Sequence, residues 1–170
     1  QISPVYNDVA DPLDYNPSSS PDKAYLLFST NRTGNVAIMK MKISDGSNSY
    51  LTYAGGVLGE SVIAQAEHPT WSPDGSKIAF AAYPGYPDFS RPEQIYVMNT
   101  DGSGKIQLTN ETEASCSYPS WSPDGTKIVF QKEYPSFSNS NEIWIMNSDG
   151  SGAKALTDRM ETGWEMHPCF

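Results

Sequence analysis

The stretch His68-Pro69-Thr70-Trp71-Ser72-Pro73-Asp74-Gly75-Ser76-Lys77-Ile78-Ala79-Phe80 returns 50 residues later as Tyr118-Pro119-Ser120-Trp121-Ser122-Pro123-Asp124-Gly125-Thr126-Lys127-Ile128-Val129-Phe130. The likeness continues downstream, where the run from Gln94 to Gly104 matches Glu142 to Gly152 at an offset of 48, so whole units repeat. A degenerate earlier copy begins Asn16-Pro17-Ser18-Ser19-Ser20-Pro21-Asp22-Lys23 and continues through Tyr25 to Ser29, Val36 to Ile43 and Asp45-Gly46-Ser47. In it Ser19 stands for the tryptophan and Lys23 for the glycine. At the far end His167-Pro168-Cys169-Phe170 matches His68-Pro69-Thr70-Trp71, the start of a further unit.

Each unit reads as four strands. In Ser-Pro-Asp-Gly the proline presets φ and the glycine is free to take a positive φ, so the chain reverses between the Trp strand and Lys-Ile-Ala-Phe. Ile95 and Val97 alternate with Tyr96 and Met98, and Ile143 and Ile145 with Trp144 and Met146, as in a third strand covered on both faces. Asp-Gly-Ser-Gly then turns into Lys105 to Thr109, or Lys154 to Thr157, as a fourth. Four strands in about 50 residues predict an all-β fold, a β-propeller of four-stranded antiparallel blades. The expected organisation is an N-terminal extension or latch strand over residues 1–14, a degenerate first blade over 15–53, a second over 66–110, a third over 117–157, and the first strand of a fourth over 166–170. The segment Val57 to Ala66 has apolar spacing compatible with a short helix but too irregular to assign one.

On these residues the chain resembles the TolB-type β-propellers, whose blades carry Trp-Ser-Pro-Asp-Gly-x-Lys-Ile-x-Phe and then an Ile-Tyr-Val-Met-Asn strand; the resemblance covers roughly residues 15–170. Similar blades occur in TolB itself, in prolyl oligopeptidase relatives and in oligogalacturonate lyases, so the resemblance implies architecture more sharply than activity. It implies a ring of roughly six or seven blades, which three blades do not close. Two solutions stay open: the chain is part of a longer propeller, or two chains form a homodimer that completes one ring. The resemblance also implies a periplasmic or extracellular location.

Composition narrows the partners. The net charge is −9, from 20 acidic and 11 basic residues with no Lys/Arg cluster, so a nucleic-acid backbone would be repelled and no such partner is expected. No apolar run approaches the roughly 18 residues of a membrane span. The two cysteines, Cys116 and Cys169, match no zinc motif; separate thiols and a bridge between neighbouring strands both stay open.

Antiparallel blades sort their loops onto two faces. One carries the Ser-Pro-Asp-Gly and Asp-Gly-Ser turns, and turn geometry accounts for Asp74, Asp101, Asp124 and Asp149 there. The other gathers the irregular loops with Tyr83, Tyr86, Phe89, Arg91, Tyr134, Phe137 and Trp164, joined by Glu133, Glu161 and Glu165, a mixture suited to a protein or glycan ligand. Packing beneath their own loops is the competing role for these aromatics. The innermost strands place Glu67-His68, Ser117-Tyr118 and Met166-His167 at equivalent points of the channel. No cofactor is expected from the motifs; Glu67, His68 and His167 are the side chains that would hold a divalent metal if they converged, although Tyr118 breaks the pattern. The resemblance to oligogalacturonate lyases, which place metal-binding histidines in the channel, makes a metal-dependent polysaccharide lyase the alternative. The propeller of a prolyl oligopeptidase relative is another. No nucleophile elbow, His-Glu-x-x-His or phosphate loop is present in the sequence, and the expected function is a non-catalytic binding module.

Overall fold

The computed structural model describes residues 12–32, 34–52, 63–85, 91–134, 140–158 and 168–170. The repeated turns set its local geometry. In each, the serine carbonyl accepts an N–H three residues on, at 2.9 Å in Ser20/Lys23, 2.9 Å in Ser72/Gly75 and 2.8 Å in Ser122/Gly125. The serine hydroxyl donates to the aspartate, at 2.5 Å from Ser20 to Asp22 and 2.6 Å from Ser72 to Asp74 and from Ser122 to Asp124. That same hydroxyl accepts the N–H of Tyr25, Lys77 or Lys127 at 2.9 Å, opening the second strand in register with the first. The degenerate copy therefore makes the same turn, with Lys23 at φ 61° where its counterparts are Gly75 at 72° and Gly125 at 71°.

Twelve strands follow among the described residues, in chain order: β1 Asp14–Ser19, β2 Tyr25–Thr30, β3 Ala37–Lys42, β4 Asn48–Tyr50, β5 Ile63–Trp71, β6 Lys77–Pro84, β7 Gln94–Asn99, β8 Ile106–Gln107, β9 Ser115–Trp121, β10 Lys127–Tyr134, β11 Ser140–Asn147 and β12 Lys154–Ala155. They form three four-stranded sheets, ordered β1-β2-β3-β4, β5-β6-β7-β8 and β9-β10-β11-β12, and every pairing is antiparallel. The chain is thus an all-β propeller segment. Strand β5 starts at Ile63, so a helix does not reach Ala66; the rest of that segment lies outside the described residues. The fourth strands are shorter than the sequence suggests. Just after each, a threonine hydroxyl accepts the N–H of a third-strand isoleucine: Thr52 from Ile38 at 2.8 Å, Thr109 from Ile95 at 2.9 Å and Thr157 from Ile143 at 3.0 Å.

Alternation with period two splits each sheet into two faces. From the second sheet Ile78, Phe80, Tyr96 and Met98 pack on Leu27, Ile38 and Leu51 of the first. Its opposite face, Ala79, Ala81, Ile95 and Val97, receives Ile128, Phe130 and Met146 of the third. Bulky front faces thus sit on smaller back faces, twice over. Strands β1, β5 and β9 are the innermost of their sheets and contact one another in sequence, β1 with β5 and β5 with β9. Residues 168–170 belong to no strand. Cys116 is buried and Cys169 exposed, both unbridged, and burial pushes the Cys116 thiol up to about 12.

Candidate functional site

The innermost strands share one irregularity. Asn16, His68 and Tyr118, each followed by proline, take φ values of 52°, 54° and 51°, at the places where the ladders of β1, β5 and β9 shift register. A non-glycine residue before proline strongly disfavours this backbone. The strain therefore recurs at the same point of all three described sheets, on the side where a propeller's channel runs. The rings of His68 and Tyr118 meet there with centroids 3.8 Å apart, tilted by 36°. Sequence reading paired His68 with Tyr118 and His167 in the channel and began the degenerate copy at Asn16; the structure gives Asn16 the same backbone, while His167 lies outside the described residues.

Around this point, at the loop end of the strands, the structure gathers carboxylates and phenols. Glu67 belongs to β5 and its Oε2 lies 3.9 Å from His68 Nε2. Tyr83 and Glu133 close β6 and β10, both half-buried. Glu93 immediately precedes Gln94, which pairs with Ala82, so Glu93 lies beside Tyr83. Its carbonyl accepts the N–H of Cys116 at 2.8 Å, which fixes it against β9. Glu93 is only 7% exposed. The charges that act on its carboxyl are those of Glu67 and Glu133, both acidic. The buried cation of the adjoining sheet, Lys132, is held by Glu111 at 3.0 Å and lies 4.1 Å over the Trp144 ring.

Burial and mutual repulsion act on these groups together. Burial above all, with repulsion from Glu67 and Glu133, pushes the Glu93 carboxyl up to about 8. Burial also raises Glu67. Burial, with Glu67 and Glu93 adding, pushes the Tyr15 phenol of β1 up to about 12. Tyr83 and Tyr118 are raised by burial and then by Glu93, Glu67 and Glu133. A cluster of carboxyls and phenols of this kind favours an ammonium or guanidinium group, which gains both carboxylate attraction and contact with ring faces.

The other predicted site residues fall elsewhere. Arg91 is exposed and donates to Asn110 Oδ1 at 3.1 Å. Tyr134 donates to Glu142 Oε2 at 3.2 Å, and Trp144 Nε1 donates to the same oxygen at 2.7 Å, so Tyr134 belongs to a packed network on the sheet face. Tyr86, Phe89, Phe137 and Trp164 lie outside the described residues. Among the described residues no three His, Cys, Asp or Glu side chains come together as a metal ion requires. Sequence reading did not single out Glu93. Its signal was available in the repeat, since Val36 and Asn141 hold the corresponding positions and only the second unit places an acid there.

No protein-family model and no curated protein matches the chain. Among solved structures, a TolB-designated protein from Agrobacterium tumefaciens superposes with a TM-score of 0.72 at 23% identity, over 89% of this chain and 50% of that one. An oligogalacturonate lyase in complex with manganese gives 0.61 at 17%, over 90% and 44%. A prolyl endopeptidase gives 0.63 at 15%, over 88% and 22%. At these identities the likeness shows the propeller fold, and the chain spans half or less of the length of each.

Proposed function

We propose that this chain is a non-catalytic, TolB-like binding module that takes a protein ligand at the channel mouth of its loop face. The observation that carries the reading is Glu93, 7% exposed and raised by burial and by two further acids, Glu67 and Glu133, in a cluster that also acts on Tyr83 and Tyr118. Acids crowded together at a buried position cost stability in the free protein, and a cationic group from a ligand would offset that cost. A basic side chain of a protein fits this better than a neutral glycan, which brings hydroxyls but no charge. The reading places the module in the periplasm or outside the cell, and it takes a second copy of the chain as a further partner. A metal-dependent lyase would need His167 or another ligand beside Glu67 and His68, and His167 lies outside the described residues.

The test is to pan a random peptide library and a glycan array against the immobilised chain. Peptides rich in Lys or Arg are expected, with affinity falling at least about tenfold in Tyr83→Ala and Glu93→Gln. Glycan binders sensitive to Tyr83→Ala but indifferent to Glu93→Gln would replace the protein ligand with a sugar. Absence of any ligand sensitive to either substitution would sink the reading.

A further inference from the structure

Neighbouring sheets meet twice, and at the backbone the two joints match. An inner-strand N–H reaches the carbonyl that precedes the third strand of the sheet before it, Ala66 to Val36 at 3.0 Å and Cys116 to Glu93 at 2.8 Å. On the turn face, a Cβ on Gly102 would stand 2.8 Å from the Leu51 carbonyl oxygen, and one on Gly150 would stand 2.9 Å from that of Leu108. Likewise a Cβ on Gly75 would lie 3.7 Å from Pro21, and one on Gly125 would lie 3.7 Å from Pro73. What distinguishes the joints on this face is therefore their side chains.

Between the first two sheets the turn face holds a cavity of about 310 Å³, lined by Tyr25, Lys40, Trp71 and Thr100 with Asp74 at its rim. Between the second and third it holds one of about 670 Å³, where the same places are taken by Lys77, Val97, Trp121, Ser148 and Asp124. In the first joint Lys40 fills the space. Its Nζ crosses from its own sheet to donate to the Thr100 carbonyl of the next at 2.5 Å, and lies 5.4 Å from the centre of the Tyr25 ring. In the second joint Val97 stands at that place, short and uncharged. Nor does Lys77 substitute for it, because its Nζ donates to Asn99 Oδ1 of its own sheet at 2.6 Å. The indole bond differs too: Trp71 Nε1 donates to the Ser18 carbonyl at 3.2 Å, whereas Trp121 Nε1 is buried with no hydrogen-bond partner among the described residues.

The larger cavity is suited to the group that the smaller one already holds. Trp121, Leu108 and Ile106 give it an apolar wall, and Ile106 is 61% exposed at its edge. Asp74, Asp124 and Asp149 stand exposed at its rim. Serine hydroxyls first, then backbone N–H groups, hold all three carboxyls below the ordinary range, Asp74 and Asp124 at about 2, so the rim is ionised at neutral pH. Among the described residues that line the cavity these three anions outnumber one cation, Lys77. In the first joint Asp101, the counterpart of Asp149, is lowered by the Ser103 hydroxyl above all and lastly by the charge of Lys40.

We infer that the cavity between the second and third sheets binds a lysine side chain of a protein ligand, its alkyl stem along Trp121 and Ile106 and its ammonium at the Ser148 carbonyl. The ligand's lysine then takes the place that Lys40 takes one joint earlier. The stem removes apolar wall from water, and the ammonium gains a charge-assisted hydrogen bond within an acidic rim. This site lies on the turn face, away from the Glu93 cluster of the loop face, and does not rest on the channel-mouth reading.

The test is an NMR titration of the whole chain with the peptide acetyl-Gly-Lys-Gly-amide. It follows the indole N–H signal of Trp121, identified by its loss in Trp121→Phe. A saturable shift is expected, with the norleucine peptide, which keeps the stem and lacks the ammonium, binding at least about tenfold more weakly. Val97→Lys gives the second joint the side chain that the first joint carries, and is expected to fill the cavity and abolish the shift. Ile106→Arg changes only an exposed edge and adds a like charge, so affinity is expected to fall at least about tenfold in a chain that thermal melts show to be folded. Glu93→Gln is expected to leave the affinity unchanged, which separates this site from the channel mouth. The inference is overturned by the absence of any shift, by equal binding of the norleucine peptide, or by a shift that survives Ile106→Arg. Butylammonium binding about tenfold more tightly than the peptide would make the ligand a free amine and overturn its assignment to a protein lysine.

Discussion

The imidazole of His68 and the phenol of Tyr118 lie with ring centroids 3.8 Å apart, although the two residues hold the same place in units 50 residues distant. Each sits on a backbone of positive φ ahead of a proline, so the bulge in each inner strand brings its ring to its neighbour's ring across the sheet boundary. The stack ties the second blade to the third at the axis.

A double-mutant cycle on this pair measures the tie. His68→Ala and Tyr118→Ala are each expected to destabilise, and the double variant to lose less than the sum by about 0.5–1.5 kcal/mol. Urea unfolding followed by tryptophan fluorescence gives the coupling. Strict additivity would show that the rings only share a space.

Lys23 carries a backbone that glycine carries in the other two turns, with φ of 61°. Lys23→Gly is therefore expected to stabilise the chain by about 0.5–1 kcal/mol, and Gly125→Ala to destabilise it by a similar amount. Equal denaturation midpoints for Lys23→Gly and the parent would refute the strain.

The glycines of the second turn separate strain from close approach. Gly102→Ala and Gly150→Ala each drive a methyl to within 3 Å of a backbone carbonyl on the neighbouring sheet, whereas Gly46→Ala meets open space in the isolated chain. All three carry a positive φ, at 88°, 88° and 70°. The expected losses are about 2–3 kcal/mol at Gly102 and Gly150 and about 1 kcal/mol at Gly46. Three equal losses would mean that the sheets yield at their joints.

Two sets of carboxyls give opposite slopes of stability with pH. Ser72 and backbone N–H groups hold Asp74 down to about 2, and Ser122 does the same for Asp124, so their contribution is present above the ordinary carboxylate range and is lost as pH falls toward 2. Glu93 is raised to about 8, so the folded chain binds a proton there that the unfolded chain releases near its ordinary value. Its contribution is complete below about 4.5 and is lost as pH rises through 8. Glu93→Gln is expected to flatten the decline between pH 5 and 8, leaving the variant the more stable at pH 8 by more than about 1 kcal/mol. Parallel pH profiles for parent and variant would mean that the carboxyl finds a partner in solution.

Much of the architecture was legible in the chain because its causes are local. A proline and an aspartate at fixed places after a serine make a turn whichever blade they stand in, and even the degenerate Ser20-Pro21-Asp22-Lys23 makes it through the same hydroxyl bonds. Period-two alternation in Ile95 to Met98 announces a strand covered on both faces, and β7 is one. The fourth strand expected after the Asp-Gly-Ser-Gly turn, Lys105 to Thr109, is shorter, β8 being Ile106–Gln107, and Thr109 spends its hydroxyl on the Ile95 N–H.

What sequence alone determined, then, is the unit: four strands, their turns and their two apolar faces, all governed by neighbours within one repeat. Tertiary structure decided everything that depends on one repeat meeting the next. It set Glu93 beside Tyr83 and the inner strands, stacked His68 on Tyr118, closed Gly102 on Leu51, and left Leu156 53% exposed where Leu51 is 6%. Those contacts join residues some fifty positions apart whose local sequence is nearly the same in each unit, so only the packing of one sheet upon another distinguishes the copies.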